Sequence, residues 1–175
     1  MTENNPPERA CEFALKQARK LAKRIRAGSE GAGPVVPVEA TVEGTDDLPG
    51  GRRSFAVQLW SLETDISVEL DADSGDMLAW SDPGGFEPGG EPEVSDEEAI
   101  EIARSVVDVP PDATLLAVEE DDFGDTPRVI VAWAHKHHDI PVEGDGISVF
   151  LNGVTGRVMS VFRKWRDNPG PPPAD

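Results

Sequence analysis

All three histidines of the chain, His135, His137 and His138, stand together in the stretch HKHHD with Asp139 beside them. If the apolar run VIVAWA continues as a strand, His135 and His137 share one face and His138 takes the other. A pair of imidazoles two residues apart on a strand can ligate zinc, copper or nickel. Asp139, or a nearby carboxylate such as Glu143 or Asp145, would complete the shell. The candidate metal set is therefore His135, His137 and Asp139. The plainer role of the same residues is a polar strand end that runs into a loop. No cysteine stands near them and HExxH is absent, so no cofactor is expected.

DADSGD, from Asp71 to Asp76, gathers carboxylates as a calcium loop does. Its spacing is wrong for one: a calcium loop of the EF-hand kind wants glycine sixth and glutamate twelfth, whereas Gly75 is fifth and Asp82 twelfth. The reading it favours is a hairpin turn. Ser148, Ser160 and Cys11 are the nucleophiles to consider beside the histidines, and none stands in a glycine-rich elbow or oxyanion setting. No GxGxxG, phosphate-binding loop or zinc-ribbon spacing occurs. These absences predict that the protein is not an enzyme.

The elements that would carry these residues are written twice. ISVELDADSGDML and ISVFLNGVTGRVM align at an offset of 81, matching Ile66/Ile147, Val68/Val149, Leu70/Leu151 and Gly75/Gly156. Apolar and polar residues alternate before each turn, as a half-buried strand requires, and glycine supplies the positive φ of the turn. Upstream, FALKQARKLA and EAIEIARSVV pair Ala14 with Ala99 and Ala18 with Ala103, spacings of one helix face. Between helix and hairpin each copy has an apolar run ending in tryptophan, SFAVQLW and RVIVAW, which matches Trp60 with Trp133 as core residues. A more polar strand precedes each run, in VVPVEATVE and TLLAVEED. Trp80 has no counterpart by this reading, and Trp165, near the last strand's end, is the candidate for an exposed anchor.

Asn5 before Pro6 and Pro7 predicts the start of the first helix, and Gly28 its stop. Ser95 and Glu98 form a capping box for the second, which Pro110 and Pro111 terminate. The predicted fold is α+β, two tandem units of one helix on a four-stranded antiparallel sheet. The units are placed at 1–80 and 95–166, with a Pro/Gly-rich acidic linker at 81–94 and a proline-rich tail at 167–175.

The helix near SDEEAIEIAR, the strand ending in tryptophan and the segment IPVEGDGISVFLNGVTGRVMSVFRKW resemble the PepSY family, modules of thermolysin-like protease propeptides and bacterial envelope proteins. The resemblance is best over residues 94–165 and weaker over 8–82. It implies a cystatin-like, PepSY-like fold and a role in binding or inhibition without catalysis. Relatives are usually exported or membrane-tethered.

This sequence shows no signal-peptide core and no apolar run approaching a membrane span, so a cytoplasmic location and no membrane partner are expected. The net charge of −18 is uneven: residues 1–26 hold seven of the 16 basic side chains against three acids. Such acidity repels phosphate backbones, and no nucleic-acid partner is expected. The basic first helix reads as the solvated back of an amphipathic element, and Cys11 on it as packing.

The copies differ most after the tryptophans. From Trp60 to Ile66 there are six steps and from Trp133 to Ile147 fourteen, so the second copy holds eight additional residues. That segment is the place to look for recognition, because loops carry function on rigid frames. His135, His137, His138, Asp139, Ile140 and Pro141, with Trp165, are the expected contacts for a protein or peptide partner. Two other readings stay open: an acidic mimic that occupies a basic, nucleic-acid-binding partner, and a small metal-binding protein.

Overall fold

The computed structural model describes residues 8–27, 39–48, 52–61, 64–86, 89–137 and 140–165. The chain runs α1 (Glu8–Ala27), β1 (Glu39–Leu48), β2 (Arg52–Ser61), β3 (Thr64–Asp71), β4 (Met77–Ser81), a 3-10 turn (Pro83–Gly85), α2 (Asp96–Val106), β5 (Thr114–Phe123), β6 (Thr126–His137), β7 (Ile140–Asn152) and β8 (Val158–Lys164). The fold is α+β, as the alternating pattern predicts. All eight strands form one antiparallel sheet in the order β1-β2-β3-β4-β8-β7-β6-β5.

One row of side chains crosses seven of the eight strands, from β2 to β5. Val57, Val68, Trp80, Val161, Val149, Val131 and Val118 are successive cross-strand neighbours. Because side chains alternate along a strand, their row defines one face, and all but the edge residue Val118 are buried. Both helices share the core with that face. Ala14, Ala18, Ala22 and Ile25 of α1 and Ala99, Ala103 and Val106 of α2 are buried in one cluster with the strands. Alanine at the contact lets a helix axis approach the sheet closely, and its burial costs almost no side-chain entropy.

The β4–β8 seam is self-complementary. Trp80 pairs with Val161, Ala79 with Phe162 and Ser81 with Ser160, so the offset of 81 maps the first pair onto itself and exchanges the other two, as a local two-fold does. Trp80 thus has a counterpart after all, Val161. The strand register also corrects the tryptophan match. Leu59 lies opposite Ile66 and Trp133 opposite Ile147, so Leu59 is the twin of Trp133. Trp60 is one residue on and belongs to the other face, the consequence of a one-residue slip. Counted from Leu59, the second copy's excess becomes seven residues.

The two hairpin turns agree atom for atom. Asp71 Oδ1 accepts from the N–H groups of Asp73 and Ser74 at 3.0 and 2.9 Å. Asn152 Oδ1 accepts from Val154 and Thr155, both at 3.0 Å. Ser74 Oγ then accepts from Asp76 N–H as Thr155 Oγ1 does from Arg157 N–H. Gly75 and Gly156 close the turns at φ 76° and 67°. Asp71 therefore caps its turn as a neutral asparagine does in the other copy.

Ser95 caps α2 by accepting from Glu98 N–H at 3.3 Å, and three acids occupy the first turn, where the helix dipole favours them. The proposed start of α1 at Asn5 and its stop at Gly28 lie outside the described residues. Within the Pro/Gly-rich stretch, Asp82 and Gly85 are buried. Asp82 accepts from Gly84 N–H at 3.0 Å and faces the Arg157 guanidinium at 3.3 Å, while Asn152 Nδ2 donates to the Gly85 carbonyl at 3.1 Å. This strap is seated on the β7–β8 turn. No described helix is long and apolar enough to cross a membrane.

Arg24 of α1 reaches the far helix, donating to the Ser105 carbonyl at 3.0 Å and to Asp108 at 3.1 Å. The hydrogen bond from Arg24, with the positive charges of Arg24, Arg163 and Lys20, holds the Asp108 carboxyl below its ordinary value, against a smaller opposing effect of burial. A carboxylate with a depressed folded pKa contributes stability above its unfolded pKa and loses it as the pH falls through the folded one. Asp108 is largely exposed, so the pair contributes under about 1 kcal/mol. Asp108→Asn should melt slightly below wild type at neutral pH, with the gap closing as the pH falls below the ordinary aspartate value of 3.8.

Candidate functional site

The seven extra residues of the second copy form a β-ribbon. β6 and β7 pair through Ala134 and Gly146, slip, and pair again through Lys136 with Pro141 and His137 with Ile140. The slip leaves residues 142–145 of β7 opposite His135 alone, a four-against-one bulge at which Asp145 is buried.

At this bulge four elements meet. His135 is 8% exposed and Asp145 is buried. His135 Nε2 lies 3.2 Å from Asp112 Oδ2, in the turn before β5, and Nδ1 lies 3.7 Å from Asp145 Oδ2. The imidazole stacks on Trp165 with centroids 4.6 Å apart and planes within 3°. Each ring nitrogen faces a carboxylate, and only Nε2 is within hydrogen-bond reach. The arrangement ties the ribbon base to the end of β8 and to the entry of β5.

The remaining expected contacts distribute around this anchor. Trp165 is half-buried against His135, while Ile140 is well exposed and Pro141 exposed beside it. The backbone of His137 ends β6; its side chain, and all of His138 and Asp139, lie outside the described residues. The described residues contain no group of three or more His, Cys, Asp or Glu side chains placed to hold a metal ion.

A feature that sequence reasoning missed occupies the sheet face opposite the helices. Phe150 and Phe162 meet edge to face with centroids 5.7 Å apart, and Phe86 and Phe123 do so at 5.5 Å. Arg128 bridges the pairs, its guanidinium 5.3 Å from the Phe123 ring and 5.0 Å from that of Phe150, and it is ion-paired to Asp121. Phe123 is 55% exposed, Phe162 49% and Leu116 49%. Beside Phe162 a groove of about 450 Å³ opens between Leu116 on one side and Pro141 and Val142 on the other, floored by Ala132, Ala134 and Ser148.

The first half is different at the same positions. At an offset of 81, Phe150 corresponds to Glu69 and Phe162 to Ser81. An outer sheet face exposed to water is normally polar, and the first half obeys that pattern at these two positions while the second does not. The signal was present in ISVEL beside ISVFL, where glutamate becomes phenylalanine at an outward position.

No family profile matches the chain, and no curated protein matches it in sequence. Among solved structures, the C-terminal domain of YpeB from Bacillus megaterium is similar at a TM-score of 0.56 and 10% identity, over 95% of this chain and 70% of that one. YpeB is a PepSY-containing protein, and the likeness supports a PepSY-like fold.

Proposed function

We propose that the chain is a pair of PepSY-like units joined edge to edge through β4 and β8, and that it acts without catalysis as a protein- or peptide-binding module. Its contact surface is the outer face of β5–β8, extended by the ribbon. The observation that carries this reading is the aromatic cluster of Phe123, Phe150 and Phe162 on a face that solvent would otherwise make polar. Aromatic rings offer large contact area at low entropic cost, which is why they dominate binding hot spots. Ile140 and Pro141 belong to the rim of this surface. His135 and Trp165 serve it from beneath by fixing the ribbon.

The pseudo-symmetry provides a matched control. Phe162→Asp places a charge in the aromatic face, and Ser81→Asp places the same charge at the twin position. A partner retained by wild type in affinity capture should be retained by Ser81→Asp and lost with Phe162→Asp, with both variants melting within about 1 kcal/mol of wild type. Equal capture by Phe162→Asp would place binding elsewhere.

A further inference from the structure

The rim of the aromatic face has a charge of its own. β5 is the sheet's outermost strand on this side, and Glu119, Glu120, Asp121 and Asp122 on it are all exposed. Opposed to Ile130 and Arg128, Glu119 and Asp121 alternate onto the aromatic side, while Asp125 follows at the β5–β6 turn. Arg128, the cation amid the rings, is already ion-paired to Asp121. Lys164 stands at the far end of the groove. A ligand lying on Phe150 and Phe162 therefore meets carboxylates along the β5 side.

We infer that the occupant of this face is a basic segment of a partner protein, with apolar side chains for the groove and lysines or arginines for the β5 rim, an inference that rests on the docking reading above. A second copy of the chain is disfavoured because each carries −18, and like charges brought to one interface repel. Exposed ion pairs contribute about 0.2–1 kcal/mol each. The rim thus steers and selects its ligand, and the apolar anchors hold it.

The test uses three labelled peptides against the full chain by fluorescence anisotropy: one alternating lysine and leucine, one glutamate and leucine, one lysine and serine. The lysine–leucine peptide should bind at least about tenfold tighter than either other, the difference of a few rim pairs or one lost anchor. Phe162→Asp should weaken it by a similar factor and Ser81→Asp should leave it unchanged. Equal binding of both leucine peptides, each lost with Phe162→Asp, would overturn the basic partner and leave the docking face standing. Lysine–leucine binding indifferent to Phe162→Asp would overturn both, as attraction to the acidic chain at large. Concentration-dependent self-association abolished by Phe162→Asp would identify the occupant as a second copy and overturn the inference.

Discussion

Gly156→Val should lower the stability of this protein by about 3 kcal/mol, and Gly75→Val by a similar amount. At φ 67° and 76° an L-residue pays the left-handed penalty of about 1–2 kcal/mol, and a β-branched side chain is a true outlier there. Packing adds to that strain. A Cβ on Gly156 would come 2.9 Å from Ile102 Cδ1 of α2, and one on Gly75 would come 2.7 Å from Phe13 Cζ of α1. Both contacts are with side-chain ends that can shift, so backbone strain is the larger part. In a chain of this size the loss corresponds to about 10 °C in Tm. Thermal melts of the two variants check it. A melt for either that superimposes on wild type would remove the turn assignment, and a large effect at only one would break the equivalence of the two hairpins.

Trp80→Ala should be the most damaging single truncation, about 3–5 kcal/mol, the range for removing a large buried aromatic. Trp80 is 1% exposed and sits on β4 directly opposite Val161 of β8, where the two halves of the sheet meet. Its indole Nε1 has no hydrogen-bond partner among the described residues. Trp80→Phe therefore removes an unsatisfied donor along with some volume, and it should cost clearly less than the alanine variant. Because the seam lies inside one sheet, urea unfolding of wild type should be a single transition, and Trp80→Ala should shift its midpoint. Two separate transitions in wild type, with only one moved by Trp80→Ala, would mean that the halves fold independently.

Much of the architecture was legible because β periodicity and turn chemistry are local. The alternation in ISVEL and ISVFL marks β3 and β7, and Gly75 and Gly156 mark their turns. Ser95 and Glu98 mark the start of α2. What was not legible is non-local. Nothing in the residues of β4 and β8 states that they pair, so the single eight-stranded sheet emerges only from the structure. The match of Trp60 to Trp133 failed by one residue, because an eye for identical residues aligns tryptophans, whereas the ladder aligns Leu59 with Trp133. Attention to the histidines found the ribbon, but it took His135 for a surface group when Asp112, Asp145 and Trp165 enclose it. Those partners come from three different places in the chain. The aromatic face was overlooked because single phenylalanines in strands read as core, although the alternation in ISVFL already sets Phe150 outward; what the register adds is that Phe162 joins it on the side away from the helices.

The measurement that bears most directly on the docking face is footprinting of the aromatic side chains in the complex with a captured partner. Radical labelling should fall at Phe123 and Phe162 when the partner binds, while Phe13, also exposed but set against the Gly75 turn, should label as before. Undiminished labelling of Phe123 and Phe162 in the complex, with protection appearing at Phe13 instead, would contradict the account and move the binding surface to the helical side of the sheet.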